Sequence, residues 1–373
     1  MRRALELAER GRGAVEPNPM VGCVLVRDGA CLGEGWHREY GGPHAEVHAL
    51  AAAGEARGAT AYVTLEPCSH HGKTPPCADA LIRAGVARVV VAMQDPFPEV
   101  AGQGIAGLRD AGIDVEAGLL QREAEQLNAP YLTRLGRRRP WVIAKWAMTL
   151  DGRIASRTGN SRWVSGPQSR ERVHALRGRM DAIMVGSGTV LADDPLLTCR
   201  PEEAGGAPCP RRPRRVVCDR RLRTPIHSQL AATANETPVL IATSAISSRS
   251  EAADELRRAG CEVWPATYSH DTFLQELLTD LALQGATNLL VEGGAELLGA
   301  MLDAELIDEV WAFVCPKLIG GAAPGPILGQ GRELMSEALA LRDVQWERIG
   351  DDLLIRARCH YNAFQKLPDR QSD

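Results

Sequence analysis

Two short stretches contain residue types that can hold a metal ion and carry out acid–base chemistry. His44 is followed two residues later by Glu46, and Cys68 and Cys77 lie in a polar run that starts at Pro67. One imidazole and two thiols are ligand types that suit Zn²⁺. Three protein ligands leave a fourth tetrahedral position for water, which is typical of a catalytic zinc site.

The spacing of His44 and Glu46 suggests a division of roles. Glu46 can stand beside the metal without binding it, and a carboxylate there can carry the proton of a zinc-bound water whose pKa is lowered towards about 7. An H-x-E pattern followed by P-C…C is typical of zinc-dependent nucleobase deaminases, although a polar insertion widens the usual P-C-x-x-C spacing here. A structural zinc site is the alternative, with His70 or His71 as fourth ligand.

The predicted elements place these residues at strand ends and helix starts. His44 begins one predicted helix, Cys68 directly follows a strand over 61–65, and Cys77 begins the next helix. Thiols at helix N-termini have lowered pKa values, and the helix dipole favours a charged glutamate there. Strands that alternate with helices predict an α/β layered domain with parallel strands, in which ligands bind at open strand ends.

Longer phrases of the first half resemble a known family. The insertion from Cys68 to Cys77, preceded by the phrases P-N-P (17–19), G-E-G-W-H (33–37) and H-A-E-V-H-A-L (44–50), resembles the deaminase half of the bifunctional riboflavin-biosynthesis deaminase/reductases. One position departs from that family. Its usual D-P-N-P is Asp95-Pro96-Phe97-Pro98 here, and Phe97 cannot make the hydrogen bond of an asparagine, although it could stack on a base.

The resemblance implies a cytidine-deaminase-like three-layer α/β/α domain over residues 1–120. It implies that Glu46 is catalytic. It also implies three zinc ligands, which are His44, Cys68 and Cys77. The implied substrate contacts are Asn18, His37 and Lys73. An amide can bond a pyrimidine edge, and a lysine can place a point charge on a phosphate.

The second half contains two strand–glycine–helix units. Gly186-Ser187-Gly188 follows a predicted strand over 182–185, and Gly293-Gly294 follows one over 288–292. Backbone N–H groups at such turns can bind phosphate. The full G-x-G-x-x-G pattern is absent, so these units do not predict a Rossmann fold.

This half resembles the reductase half of the same family. The matching phrases are Lys145 with L-D-G-R (150–153), G-S-G-T-V-L-A-D-D-P (186–195), V-E-G-G (291–294) and P-K-L-I-G-G (316–321). The resemblance implies a dihydrofolate-reductase-like α/β domain over 141–360 that uses NADPH. The implied cofactor contacts are Ala147, Trp163, Thr189, Asp193, Gly294, Ala295, Glu296, Leu297, Leu298, Gly299 and Ala300.

The implied substrate contacts of the reductase are Ser161, Arg177, Leu197, Arg200 and Glu292. The planar fork of arginine suits a ribose phosphate, since it can bind two phosphate oxygens at once. The sequence does not identify a proton donor for the reduction. Lys145 and Asp151 are the candidates by residue type.

Composition limits the other possibilities. A length of 373 residues predicts about two domains, with 121–140 as a linker and 361–373 as a polar tail, and the net charge of −4 gives no reason to expect nucleic-acid binding. No apolar run could span a membrane. The ten cysteines are scattered and no leader is visible, which predicts a reducing cytoplasmic setting without disulfides. We expect a homo-oligomer.

Two basic clusters interrupt this ordinary composition. They are Arg137–Arg139 and the group Arg211, Arg212, Arg214 and Arg215. Charge runs usually face solvent, so we expect both clusters to lie on solvated loops rather than in an anion site.

The residues of the first half therefore predict a zinc hydrolase. The family resemblance implies that it is joined to an NADPH-dependent oxidoreductase and that both act on a phosphorylated pyrimidine of flavin biosynthesis. A lone cytidine, deoxycytidylate or transfer-RNA deaminase would leave the second half unexplained. One half could instead be degenerate and only bind nucleotide, leaving a monofunctional deaminase or reductase. A zinc-stabilised scaffold without activity would give Glu46 no purpose.

Overall fold

Two compact units make up the chain in this computed structural model. One comprises Met1–Arg139 with Ala282–Thr287, and the other comprises Pro140–Leu281 with Asn288–Asp373. The structure describes residues 1–69, 76–97, 101–200, 209, 211–267 and 272–361. Each unit is built around its own β-sheet.

The first unit surrounds a five-stranded mixed sheet with helices. Its elements in chain order are α1 (Arg2–Glu9), β1 (Gly22–Arg27), β2 (Ala30–Trp36), α2 (Ala45–Ala53), β3 (Thr60–Val63), α3 (Cys77–Arg83), β4 (Arg88–Val91), α4 (Gln103–Asp110), β5 (Asp114–Ala117), α5 (Gln121–Leu127) and α6 (Ala129–Arg137). The strand order is β2-β1-β3-β4-β5. Strands β3, β4 and β5 are parallel, whereas β1 is antiparallel to both of its neighbours.

Strands β3, β4 and β5 confirm the prediction of parallel strands, and β1 with β2 forms the hairpin that the Asp28-Gly29 pair in the sequence predicts. β1 and β2 are antiparallel because Asp28 and Gly29 form a two-residue turn between them. Both residues have positive φ, 53° and 79°, as the tight turns that match the twist of a hairpin require.

Glycines in β2 let α2 approach the sheet closely. A Cβ added at Gly33 would lie 2.3 Å from the carbonyl oxygen of Ala49, and one at Gly35 would lie 2.3 Å from that of Ala45. Real Cβ atoms do not come so near to backbone, so any larger residue would push the helix away. This packing fixes the start of α2, where His44 is the N-cap residue.

The segment 121–140, predicted to be a linker that begins with a short helix, contains the two helices α5 and α6. Asn128 at their junction is 1% exposed. Its side chain accepts a hydrogen bond from the Met20 N–H at 2.8 Å and donates one to the Met20 carbonyl oxygen at 3.0 Å. Asn128 is one of the polar residues that suggested a linker, and its two hydrogen bonds attach this segment to the first unit.

The second unit contains a nine-stranded sheet. Its elements are β6 (Trp141–Thr149), α7 (Pro167–Arg177), β7 (Ala182–Gly186), α8 (Ser187–Asp193), β8 (Arg214–Cys218), α9 (Gln229–Ala232), β9 (Val239–Ser244), α10 (Glu251–Arg258), β10 (Glu262–Ala266), α11 (Phe273–Leu283), β11 (Asn288–Val291), α12 (Ala295–Asp303), β12 (Glu309–Cys315), β13 (Leu341–Ile349) and β14 (Asp352–Cys359). The strand order is β10-β9-β8-β7-β11-β6-β12-β14-β13.

The first seven strands of that order are parallel, and β14 and β13 add an antiparallel edge. The sequence did not predict β10, β12, β13 or β14. In β13 every residue except the last is exposed, so this strand has no buried face that an apolar pattern could reveal.

The expectations that the cysteines form no disulfide and that both arginine clusters are solvated are wrong in part. Cys199 and Cys209 form a disulfide, with Cα atoms 6.3 Å apart, and such a pairing cannot be deduced from spacing alone. Arg139 and Arg215, expected on solvated loops, are both buried. No helix within the described residues is both long and apolar enough to cross a membrane.

Candidate functional site

Three elements of the first unit bring His44, Cys68 and Cys77 together. His44 is the N-cap residue of α2, Cys77 is the first residue of α3, and Cys68 lies in the loop between β3 and α3. The Nδ1 atom of His44 lies 3.2 Å from Sγ of Cys77 and 3.5 Å from Sγ of Cys68. All three ligand atoms lie within 4.8 Å of one another.

These distances fit a zinc ion. With Zn–S about 2.3 Å and Zn–N about 2.0 Å, a tetrahedral site places nitrogen and sulfur ligands about 3.5 Å apart. The backbone N–H of Cys77 also donates to Sγ of Cys68 at 3.3 Å. Hydrogen bonding from Cys77 lowers the pKa of Cys68 to about 4, and because the two thiols share one charge, the pKa of Cys77 is raised. The cluster thus holds a thiolate, the form of cysteine that binds metals.

Glu46 lies beside this cluster in the first turn of α2. Its side chain is buried, and its Oε2 atom has no hydrogen-bond partner among the described residues. Burial, and next the charge of Cys68, raise its pKa. A buried polar atom without a partner costs free energy, so its position indicates that a ligand completes the site.

Two of the predicted substrate residues contact each other, and one of them contacts a metal ligand. The Nδ2 atom of Asn18 is 3.3 Å from Nε2 of His37, and the rings of His37 and His44 meet edge to face with centroids 5.4 Å apart. The Nδ1 atom of His37 is 3.0 Å from the carbonyl oxygen of Pro43, so Nδ1 donates and Nε2 is the ring atom turned towards Asn18. Lys73, with His70 and His71, lies outside the described residues.

The turn that contains Phe97 is held by buried acids. The Oδ1 atom of Asp95 accepts hydrogen bonds from the Phe97 N–H and the Tyr131 hydroxyl, both at 2.9 Å. Glu66 in turn accepts from the Asp95 N–H at 3.2 Å and the Ile105 N–H at 3.1 Å. The backbone from Asp95 to Phe97 is therefore fixed by hydrogen bonds to buried carboxylates.

A cavity of about 1770 Å³ opens in the second unit. All five predicted substrate residues line it, namely Ser161, Arg177, Leu197, Arg200 and Glu292. Ten of the eleven predicted cofactor residues line it as well: Ala147, Trp163, Thr189, Asp193, Gly294, Ala295, Glu296, Leu297, Leu298 and Ala300. The volume exceeds that of an ordinary drug-sized pocket, which leaves room for two ligands.

Gly299 does not line the cavity. A Cβ at this position would lie 1.8 Å from the carbonyl oxygen of Leu328. The glycine therefore allows α12 to pack against the backbone of residues 328–329, both of which do line the cavity. Its contribution to the site is indirect.

Three charged side chains meet inside the cavity. Arg177 binds Glu292 with two hydrogen bonds, from Nε at 2.5 Å and from Nη2 at 2.9 Å. Nζ of Lys145 lies 3.6 Å from Oε2 of the same glutamate. Burial alone would raise the pKa of Glu292, but Arg177 and Lys145 hold it at about 2. Burial lowers the pKa of Lys145.

Only one of the two candidate proton donors lies at the cavity. Lys145 lines the cavity, whereas Asp151 is exposed and does not. The carboxylate of Asp151 instead accepts hydrogen bonds from the Thr149 hydroxyl at 2.6 Å and the Gly320 N–H at 2.8 Å. These hydrogen bonds give Asp151 a structural role, in which its carboxylate links residue 149 to residue 320.

The sequence reasoning missed a basic group at the end of β8. Arg220, Arg221 and Arg223 line the cavity, and Nη2 of Arg223 donates to Oγ of Ser187 at 2.8 Å. The arginines follow directly on a buried β-branched strand. In a parallel sheet, ligands bind beyond the C-terminal ends of the strands. The position of these arginines after a strand could therefore have indicated a role in ligand binding.

Comparisons with known proteins agree with both halves. Residues 1–93 match the cytidine and deoxycytidylate deaminase zinc-binding region, and residues 140–355 match the RibD C-terminal domain. The riboflavin biosynthesis protein RibD of Escherichia coli (strain K12) is 45% identical over 372 residues, which cover 95% of this chain and 97% of that protein. RibD of Actinobacillus pleuropneumoniae is 42% identical, covering 95% and 93%.

Solved structures resemble the whole chain as well. Acinetobacter baumannii RibD (form 1) has a TM-score of 0.82 at 38% identity, covering 96% of this chain and 98% of that one. A diaminohydroxyphosphoribosylaminopyrimidine deaminase/5-amino-6-(5-phosphoribosylamino)uracil reductase from Thermotoga maritima has a TM-score of 0.81 at 35% identity, covering 96% and 97%.

These matches confirm the predicted fold class, a cytidine-deaminase-like half followed by a dihydrofolate-reductase-like half. They also agree with a His/Cys/Cys zinc-binding site in the first half. They give the second half the fold of a reductase that implies a nicotinamide cofactor. The chain belongs to the RibD family of bifunctional deaminase/reductases of riboflavin biosynthesis.

Proposed function

We propose that the first half hydrolyses the exocyclic amine at C2 of 2,5-diamino-6-ribosylamino-4(3H)-pyrimidinone 5′-phosphate. The second half then reduces the ribosyl group of the product with NADPH, giving 5-amino-6-ribitylaminouracil 5′-phosphate. The observation that carries this proposal is that one chain holds both the zinc-ligand cluster with Glu46 and a cavity lined by all the predicted reductase substrate residues.

In the deaminase site, Glu46 is the residue that moves protons. Zinc held by His44, Cys68 and Cys77 would supply a water of lowered pKa. Glu46 would take up the proton of the attacking water and deliver it to the exocyclic amino group at C2, which would leave as ammonia. Its raised pKa suits this exchange, since a proton carrier works best when its pKa lies near the working pH.

Asn18 and His37 would orient the pyrimidine. Because His37 Nδ1 faces a carbonyl oxygen, its Nε2 is an acceptor, and burial, the main influence, lowers the pKa of His37 and keeps its ring neutral. An amide and a neutral imidazole together offer both donors and acceptors to a base edge. Lys73 is proposed to bind the phosphate.

In the reductase site, Arg177, Glu292 and Lys145 would hold the substrate's polar groups. NADPH supplies the hydride when it is bound. Glu292 remains ionised at neutral pH and can accept hydrogen bonds from ribose hydroxyls. We propose Lys145 rather than Asp151 as the proton donor, since only Lys145 lines the cavity. Arg200 is the proposed phosphate ligand.

The basic group at the end of β8 supports NADPH over NADH. We propose that Arg220 and Arg221, both exposed at the cavity, bind the 2′-phosphate that distinguishes NADPH. Replacing both by alanine is expected to raise the KM for NADPH about 10- to 100-fold, the effect of losing one or two charged hydrogen bonds. The KM for NADH should stay unchanged. Initial rates with each cofactor measure this.

Arg249→Ala provides the matched control, because Arg249 is exposed in the same unit and does not line the cavity. It should leave both KM values unaltered. An equal rise in KM for NADPH and NADH in the double variant would contradict a 2′-phosphate site at these arginines.

One assay tests the whole proposal. Purified zinc-loaded protein is given the diaminopyrimidine phosphate with and without NADPH. We expect ammonia release without NADPH, and NADPH oxidation only after deamination. Absence of ammonia would exclude the first reaction, and ammonia without NADPH oxidation would indicate that the second half only binds nucleotide. The homo-oligomer and the cytoplasmic location stay predictions.

A further inference from the structure

A fully buried arginine lies within the sheet of the second unit. Arg215 belongs to β8, where it pairs with Ile183 of β7 and Val239 of β9, and its exposed fraction is 0%. Burial lowers the pKa of its guanidinium. A buried charge is costly unless it is fully hydrogen-bonded, and an apolar side chain of similar size would often give a more stable protein.

The hydrogen bonds of Arg215 join two separate segments. Nη1 donates to the carbonyl oxygen of Leu196 at 3.2 Å and to Oγ1 of Thr233 at 2.7 Å. Nη2 donates to the carbonyl oxygens of Thr233, at 2.9 Å, and Thr237. All four acceptors are neutral oxygens. Arg215 therefore connects the loop after α8 to the C-terminal end of α9.

A second set of contacts links the same two segments. Oδ1 of Asp194 accepts a hydrogen bond from the Gln229 N–H at 2.8 Å, and the Asp194 carbonyl oxygen accepts one from the Gln229 side chain. The Thr233 hydroxyl donates to the Gln229 carbonyl oxygen at 2.7 Å. Thr233 thus links Arg215 to the residue that binds Asp194.

Arg177, whose side chain lines the cavity, binds the same loop at Thr198, two residues after Leu196. Nη1 of Arg177 donates to the carbonyl oxygen of Thr198 at 3.1 Å. The residue between the two bound carbonyls is Leu197, whose φ is 53°. Leucine rarely adopts this left-handed conformation, and it persists only where the surroundings enforce it. Arg215 and Arg177 supply that constraint on either side.

Arg215 binds a loop that forms part of the cavity wall. It does not line the cavity, whereas Leu196, Leu197 and Arg200 do. We propose that Arg215 is a positioning residue of the reductase, which holds residues 194–200 so that Leu197 and Arg200 face the phosphorylated pyrimidine. This proposal rests on the reductase function proposed above.

Two variants test this role by kinetics. Arg215→Met removes all four hydrogen bonds, and Thr233→Val removes only the hydroxyl and is the milder change. We expect both to raise the KM for the uracil phosphate, by at least about tenfold for Arg215→Met. The KM for NADPH, and the kcat expressed per site that binds NADPH, should stay within about twofold of the wild-type values. Leu256→Ala is the control for lost core stability, since Leu256 is buried on α10 and does not line the cavity.

Hydrogen exchange of the full chain gives a readout that does not need turnover. The backbone amides of residues 194–200 should exchange faster in Arg215→Met and Thr233→Val than in wild type, and at the wild-type rate in Leu256→Ala. If Arg215→Met does not fold, Thr233→Val decides the matter. An unchanged substrate KM together with unchanged exchange of these amides would overturn the proposal. If the wild type fails to reduce the uracil phosphate, the reductase function is refuted, while hydrogen exchange still reports whether Arg215 holds the loop.

Discussion

Replacing Glu46 by glutamine is expected to reduce ammonia release about 10³-fold while zinc remains bound. Glutamine keeps the size and the burial of the side chain but cannot take up a proton, and general acid–base groups typically contribute 10²- to 10⁴-fold. His44, Cys68 and Cys77 are untouched, so the metal content should stay at one per chain. Steady-state ammonia release and elemental analysis of the same sample measure both quantities.

Glu55→Gln is the matched control for this change. Glu55 is an exposed glutamate in the same unit, and its replacement should leave the rate of deamination unaltered. NADPH oxidation with the uracil phosphate should be normal in both variants, because the reductase residues lie in the other unit. A Glu46→Gln protein that keeps zinc and deaminates at the wild-type rate would show that Glu46 is not the proton carrier.

Replacing Glu292 by glutamine is expected to reduce kcat/KM of the reductase at least about 100-fold. The variant leaves Arg177 and Lys145 close together with no anion between them. Removing one partner of a buried ion pair typically lowers the free energy of unfolding by about 3–5 kcal/mol. NADPH oxidation and chemical denaturation measure the two effects, and deamination serves as the internal reference.

The dependence of this loss on pH gives a second check. The pKa of Glu292 is lowered from 4.5 to about 2 in the folded protein, so its ionisation stabilises the fold fully above about pH 5. That contribution disappears as the pH falls from about 5 towards 2. The difference in unfolding free energy between wild type and Glu292→Gln should therefore shrink over this range. Glu251→Gln, at an exposed glutamate on α10, is the control and should change the unfolding free energy far less than Glu292→Gln. A Glu292→Gln protein with normal stability and turnover would contradict the proposed role.

The metal cluster was predictable because its signals are local. His44 begins a helix, Cys77 begins another, and Cys68 follows a strand. Each of these boundaries can be recognised within a few residues of sequence. The ligand types then limit the chemistry, and only the relative placement of three neighbouring elements had to be supplied by the fold.

Other features depend on contacts that no local pattern reveals. Arg215 sits in a basic run that looks solvated, yet its acceptors on Leu196 and Thr233 come from two other segments. Gly299 was expected at the cofactor because the family resemblance implied contacts from the whole segment 294–300, but it lies in α12, where it admits the backbone at Leu328. Strand β13 carries no apolar face. In each case the deciding partner lies far along the chain, where hydrophobic periodicity gives no information.

The order of the strands has a consequence for synthesis on the ribosome. The sheet of the first unit is complete once β5 has emerged at Ala117, whereas β6, at the start of the second unit, lies between β11 and β12 and cannot be paired on both sides until Cys315. At about 5–20 residues per second, this is a delay of roughly 10–40 s. A nascent chain can therefore bind its metal well before it can close the cavity for the reduction. The two sites are completed during translation in the order in which the proposed pathway uses them.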